Sequence, residues 1–330
     1  MTTASLNPVR FASRAAVPLL LAAVLIFSIT LVDPRFVTAQ NLINVARGAS
    51  LLLIVASGQM LVMIVGGLDL SIGACMALCS VICSLVMVWI GAVFPDEPFI
   101  AVIGGAGAAL GCGLMIGLIN GLCVARLKIP SLIVTLGMMS VASGFALMLT
   151  NGVPVYGLPD MFIERIGRTL PAGLPNAVWV AALIVLTLVA LQRHSSHGPR
   201  LLATGDNLYS ARVSGIAVDR YVVAAYVCSS MFAATASLLL TAQIGSGQSS
   251  IGDRLALESI AAAVIGGVSI RGGSGQPEHV AAGTFFLFIL NNVMDLLEVN
   301  SRMQMVLLGL FVVLVAGLGV ARARRRHAGH

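Results

Sequence analysis

Three clusters in this chain carry residue types that do chemistry elsewhere. The first is Gly66-Gly67-Leu68-Asp69-Leu70-Ser71-Ile72-Gly73, which interrupts an otherwise apolar stretch running from 48 to 95. A carboxylate and a hydroxyl two residues apart can line a polar path or cap a helix. Lipid penalises an unpartnered acid, so Asp69 must face protein or water. Two readings stay open: path lining, or an N-cap on the next helix. The second cluster is Gly266-Gly267-Val268-Ser269-Ile270-Arg271-Gly272-Gly273-Ser274-Gly275. It has the look of a phosphate-cradling loop, but a Walker loop closes on Gly-Lys-Ser/Thr. The only lysine is Lys128, in Arg126-Leu127-Lys128-Ile129-Pro130. A dinucleotide fingerprint with its βαβ unit is also missing. If ATP drives this protein, another chain binds it. The third cluster is a set of metal-ligand types. Cys75, Cys79 and Cys83 repeat every four residues, and His194 and His197 stand three apart. The cysteines lie in an apolar run without a nearby histidine, where thiols pack as small hydrophobes. The histidines stand beside a membrane exit and read as solvated. No metal site is expected.

The elements that must hold these clusters follow from composition. Of 330 residues, 58% belong to the apolar set and only 10% are charged. Soluble domains carry about 25% charged residues. A chain of this length could bury a core but could not cover it with so few charges. Lipid is therefore the solvent for most of it. Uncharged runs fall at 15–32, 48–68, 70–95, 98–125, 129–159, 169–192, 221–252, 259–270, 279–294 and 303–321. A crossing helix needs roughly 20 mostly apolar residues. The expected architecture is an all-α polytopic bundle of about ten transmembrane segments with broken helices. The eighth run is too short to cross alone and spans only with Glu258, or is a half-helix shielded by protein.

Lys and Arg set the orientation. With the N-terminus in the cytoplasm, inside loops hold 13 of the 19 basic residues. The acids Asp33, Asp96, Glu97, Asp160, Glu164, Asp253, Glu258, Asp295 and Glu298 fall outside. Both termini are expected in the cytoplasm: residues 1–14 at the start, a membrane domain over 15–321, and a basic tail over 322–330. The positive net charge is thus a topology signal, and no nucleic-acid partner is expected. Val37-Thr38-Ala39 before Gln40 imitates a signal-peptidase site, but the length argument favours an uncleaved first span. Along the fourth run Gly105, Ala109, Gly113, Gly117 and Gly121 repeat every four positions. Such a face lets a neighbouring backbone approach closely. The longest cytoplasmic segment, 192–220, contains Gly205-Asp206-Asn207, a helix-start signal with Asp206 or Asn207 as cap. The short helix expected over 207–214 is a docking surface for a soluble partner, or an ordinary connecting loop.

Four stretches together resemble the permease subunit of sugar ABC importers of the ribose/xylose/galactoside type. They are Gly66 to Gly73; Asn120-Gly121 with Ile129-Pro130-Ser131-Leu132-Ile133-Val134-Thr135-Leu136-Gly137; Ala203-Thr204-Gly205-Asp206-Asn207 through Ser214-Gly215-Ile216; and Leu257-Glu258-Ser259-Ile260-Ala261-Ala262-Ala263-Val264-Ile265-Gly266-Gly267. Asn291-Asn292 and the closing span fit as well. The similarity runs in order over roughly residues 17–320. It implies a single permease domain in a bacterial inner membrane, acting as a homodimer or pseudo-dimer. It implies two ATPase subunits that bind ATP and Mg below, a periplasmic sugar-binding protein above, and no cofactor in this chain. It also implies that Gly205, Asp206, Asn207, Tyr209, Ala211, Arg212, Ser214 and Gly215 form the segment that engages the ATPase. The sequence departs from the pattern at Gln276-Pro277-Glu278-His279, where small and apolar residues are usual.

Asp69, Ser71, Asn120, Thr135, Asn291 and Asn292 are candidate walls of the path. They suit a sugar, which wants hydrogen bonds without strong charge. Helix packing is the competing role for each. The competing functions are a branched-chain amino-acid permease, an ion-coupled transporter, which wants acids at mid-depth, and a membrane enzyme, which wants a clustered catalytic set. Only Asp69 and Glu258 come near mid-depth, and no such catalytic set is found.

Overall fold

The computed structural model describes residues 8–311 and residue 317. Helices account for the architecture, and no sheet forms among the described residues. α1 (Pro8–Val32) turns through a short 3-10 segment at Pro34–Val37 into α2 (Ala39–Ile64). Thr38 caps α2 by accepting the Asn41 N–H. Next are α3 (Ile72–Val93), α4 (Pro98–Ala125) and α5 (Ser131–Thr150). Pro98 sits in the first turn of α4, where its missing N–H costs nothing. A three-residue α6 (Asp160–Phe162) and a π-turn lead to α7 (Asn176–His194). Then come the short α8 (His197–Asp206) and α9 (Leu208–Val213), the long α10 (Val218–Ile244), α11 (Asp253–Ile265) and α12 (Pro277–Leu296). A last helical stretch occupies 301–311.

Seven of these helices, α2, α3, α4, α5, α7, α10 and α12, are long and apolar enough to cross a membrane. Ala16–Val32 adds a shorter apolar helix. α11 has 13 residues, about 20 Å at 1.5 Å per residue, and falls short of the roughly 30 Å a bilayer demands. The protein is an all-α, multi-pass membrane protein. The tail 322–330 lies outside the described residues.

α10 is the hub and packs against α4, α2 and α3. The small-residue face of α4 does what its spacing predicts. A Cβ on Gly117 would stand 2.7 Å from the Val227 backbone, and one on Gly121 2.8 Å from that of Val223. Polar side chains stitch α3 to the same hub. Ser237 Oγ donates to Met76 O at 2.6 Å, and Ser80 and Thr241 share a hydroxyl bond of 2.7 Å. Cys75, Cys79 and Cys83 are buried in this seam, and Cys79 Sγ donates to Ala109 O at 3.3 Å.

Two connections dip into the bundle. Residues 65–71 carry the chain back inward before α3 starts. Residues 245–252 do the same before α11: Gly247 exchanges backbone hydrogen bonds with Val155, and Gln248 N–H donates to Ser80 Oγ. Gly73 and Gly252 then meet so closely that a Cβ on Gly73 would lie 2.6 Å from Gly252 O. The starts of α3 and α11 are thus neighbours inside the protein. Irregular backbone at this depth is tolerable because protein surrounds it. The departure at Gln276-Pro277 causes no disruption, since Pro277 occupies the first turn of α12.

Candidate functional site: a polar knot beside two glycine breaks

α2 ends because Gly66 adopts φ +82°, which a side chain would resist. Gly66 N–H donates to Met63 O and Gly67 N–H to Val62 O, both at 2.9 Å. This pairing is a Schellman cap. It turns the chain so that Asp69 enters the interior with no solvent contact. Asp69 Oδ1 accepts the Ser71 N–H at 3.0 Å and the Ser71 hydroxyl at 2.6 Å. Asp69 Oδ2 accepts the Ser229 hydroxyl from α10 at 3.0 Å. Asn120 Nδ2, from α4, donates to Ser71 Oγ at 2.9 Å. The start of α5 closes the ring: Leu68 N–H donates to Ser131 Oγ, and Thr135 Oγ1 lies 3.3 Å from Leu68 O.

Four of the six candidate path residues, Asp69, Ser71, Asn120 and Thr135, therefore gather around one break. The other two do not join them. Asn291 Nδ2 donates to Glu258 Oε1 at 3.3 Å, and Asn292 and Asn41 exchange amide hydrogen bonds of 3.1 and 2.9 Å. The knot is sealed: Asp69, Ser71, Asn120, Thr135 and Ser229 are all buried. Asp69 is not a plain N-cap, because its oxygens accept from Ser71, itself the residue before α3, and from α10. One acceptor is left over, Asn120 Oδ1, which is buried without a hydrogen-bond partner. Asn120 lies five residues before the end of α4 and Ser229 eleven after the start of α10. At 1.5 Å per residue, that sets the knot about 8–16 Å in from those helix ends.

Residues 197–206 form a helix, where only 207–214 were expected to be helical. Gly205 closes α8 rather than opening α9. Asn207 is the cap, its Oδ1 accepting the Ser210 N–H at 3.0 Å. α9 spans Leu208–Val213, slightly shorter than the expected 207–214. Ala211 anchors it inward while Leu208, Tyr209 and Val213 face out, Tyr209 at 79% exposure. Arg212 pairs with Asp219 at 2.8 Å, and Ser214 leads into Gly215 at φ +77°. His197 Nδ1 lies 3.1 Å from the Tyr221 hydroxyl.

The second glycine cluster leans on this segment. Gly273 N–H donates to Ile64 O at 2.9 Å. Gly205 is wedged between the two, and a Cβ there would overlap Ile64 O outright. Asp206 packs on Gly273. Gln192 Nε2 donates to Gly275 O at 2.8 Å and Arg193 pairs with Glu278, tying α7 to the same loop.

Residues 41–316 match the family model described as branched-chain amino acid transport system / permease component. The chain belongs to this permease family. The permease is 32% identical to the ribose import permease protein of Escherichia coli (strain K12) over 95% of its own length and 97% of the relative's. It is 33% identical to the ribose import permease protein of Bacillus subtilis (strain 168), covering 91% of each. It is 31% identical to the autoinducer 2 import system permease protein of Escherichia coli (strain K12 / DH10B), over 90% of this chain and 84% of that one. No solved structure matches. The resemblance to sugar-importer permeases is borne out.

The permease also uses residues that polarity and spacing do not single out. Ser229 and Ser131 supply the knot's remaining bonds. Ser131 belongs to the Ile129–Gly137 stretch and is the first residue of α5. Ser229 is one hydroxyl among many on α10, and only the fold distinguishes it. Glu258, in sequence only an acid near a break, is buried against Asn291 and lies 3.5 Å from Arg254.

Proposed function

We propose that this protein is the membrane-spanning subunit of a bacterial inner-membrane ABC importer for a monosaccharide. In this reading two copies, or one copy and a homologue, form the pore. Separate ATPase subunits bind ATP and Mg on the cytoplasmic side, and a periplasmic binding protein delivers the sugar. The proposed topology is ten segments with both termini in the cytoplasm. α11 and its glycine loop make up the eighth crossing, as a half-helix shielded by protein.

One observation carries the coupling part of this proposal: Gly205 touches the backbone of Ile64, where α2 ends just before the first glycine break, and of Gly273 in the second. The exposed apolar side chains of Leu208, Tyr209 and Val213 supply a surface for an ATPase cleft. A push on α9 would reach Ile64 and Gly273 through Gly205 and Asp206. From Ile64 it has five residues to travel to Asp69. The buried knot then serves as a gate that changes partners when α2 and α3 shift. Asn120 Oδ1, left without a partner here, is available to a cargo hydroxyl in another state. The amide of Asn120 and the hydroxyls around Asp69 offer a sugar the hydrogen bonds it needs, and the relatives named above are named for ribose and autoinducer 2. That disfavours branched-chain amino acids as cargo.

The test is replacement of Gly205–Gly215 by an unrelated flexible linker. Membrane insertion should persist while ATPase co-purification and sugar uptake in vesicles are lost. Uptake by the swapped protein sinks the coupling assignment. Uphill uptake by the purified chain, with no nucleotide-hydrolysing companion, sinks the importer reading altogether.

A further inference from the structure

The two dips into the bundle differ in what covers them. The knot that follows the first is sealed. The second, residues 245–252, is held by protein along one side only. Ser246 and Gly247 are buried, and Gln248 N–H donates to Ser80 Oγ at 3.2 Å. Gln248 and Ser249 are half-buried, while Ser250, Asp253 and Arg254 stand open, the Arg254 side chain at 50% exposure. We infer that residues 248–254 line a water-filled passage through the membrane domain.

Depth is the first observation. Ser80 stands 13 residues from the Val93 end of α3, about 20 Å at 1.5 Å per residue. Gly252 lies against Gly73, which is 20 residues from that end, about 30 Å. The neighbouring knot is itself about 8–16 Å in from the opposite ends of α4 and α10. Asp253 and Arg254 follow Gly252 directly, so they are far from both ends of the bundle and yet open. Chemistry is the second observation. At such depth lipid rejects irregular backbone, an open carboxylate and a guanidinium, so water or protein must cover them. Arg254 lies 3.5 Å from Glu258, but Asp253 takes part in no ion pair among the described residues. An interface with a second copy would bury that carboxylate unpaired, at high cost. A water-filled passage leaves it solvated. α7 provides the contrast, because it turns Leu183 and Leu186 outward, each at 66% exposure. Those are the side chains that lipid accepts.

Only the cargo of this passage rests on the importer reading; its water does not. Gln248, Ser249, Ser250 and Asp253 would offer a passing sugar an amide, hydroxyls and a carboxylate. In this state the open wall of the path is the second dip, with the sealed knot behind it. The test is thiol labelling of the purified full-length chain in lipid nanodiscs, with a charged, membrane-impermeant methanethiosulfonate. Ser250→Cys is the probe, and Asp253→Cys is the second variant should the first fold poorly. Leu183→Cys on α7 is the lipid-facing control, and labelling of the native cysteines is subtracted with wild-type protein. The probe thiol should react about tenfold or more faster than the control, since each unit by which hydrocarbon raises a thiol lowers its thiolate fraction about tenfold. That result supports the passage whether or not an ATPase partner is ever found. Labelling of both probes no faster than the control overturns it. A probe that resists the reagent but cross-links to itself between two copies also overturns it, and assigns the segment to a protein interface.

Discussion

The two glycine breaks begin alike and end differently. Gly66 and Gly267 take nearly the same φ, +82° and +79°, and close α2 and α11 with the same pair of cap bonds. After the first cap the chain turns inward and is held by side chains: Asp69, Ser71, Ser229 and Asn120. After the second it turns along the end of the bundle and is held by backbone, through Gly273 N–H on Ile64 O and Ser269 N–H on Ser274 O. Identical helix endings thus lead into a buried polar knot in one case and a close-packed strap in the other. The residues just beyond each cap decide the outcome. An acid flanked by apolar residues must find donors inside, whereas consecutive glycines need only a neighbouring backbone.

This contrast predicts opposite sensitivities. In the strap, added volume should be ruinous. Gly205→Ala drives a methyl into Ile64 O, a backbone atom that cannot step aside cheaply. Its cost should exceed about 4 kcal/mol, the range reserved for the most damaging single changes. Thermal unfolding and membrane yield would register it. Ser269→Ala, which removes only a local bond to the Arg271 N–H, should cost no more than about 1 kcal/mol. Equal damage from the two would dissolve the distinction.

In the knot, lost chemistry should matter more than volume. Asp69→Ala strands three buried donor groups, at about 1–3 kcal/mol for each that finds no new partner. Asp69→Asn keeps an acceptor for Ser71 and lets Ser229 accept instead of donate, so its loss should be less than half as large. Uptake should be impaired by both, and melting temperature chiefly by the first. If Asp69→Ala melts like Asp69→Asn, the bonds to Asp69 do not hold this break.

One side of this contrast is far more legible in the sequence than the other. An acid among glycines inside an apolar run announces itself, because lipid would reject it unpartnered. Polarity alone selects Asp69, Ser71, Asn120 and Thr135, and the fold brings them together. The same filter also selects Asn291 and Asn292, which pair with Glu258 and Asn41 elsewhere. Polarity marks a residue that needs a partner but does not say which one. The α4 stripe is readable because its four-residue period is local. The strap is not, because residues 64, 205 and 273 are far apart in sequence and meet through backbone atoms, which leave no side-chain signature. The length of α8 is hidden because Gly205 reads as a breaker. Here it ends a helix whose close approach to Ile64 requires glycine.

A carboxylate outside both breaks provides the control for them. Asp33 lies between α1 and α2, outside the membrane-spanning helices, and pairs with Arg35 at 2.7 Å. Arg35 also donates to Leu296 O, latching this turn to the end of α12. The hydrogen bonds from Arg35 hold the Asp33 carboxyl below its ordinary value of 3.8. A lowered folded-state value means that the pairing stabilises fully above that ordinary value and fades as pH falls through the lowered one. Melting of wild type should therefore show no pH dependence from this latch between about pH 5 and 8. Asp33→Asn should change stability least of the variants considered, with an effect that shrinks in high salt, as surface pairs do. A melting difference between wild type and Asp33→Asn that varies with pH near neutrality would contradict the assignment. A loss as large as that of Asp69→Ala would show that Asp33, half-buried beneath the exposed Arg35, holds the bundle as firmly as the carboxylate in the knot.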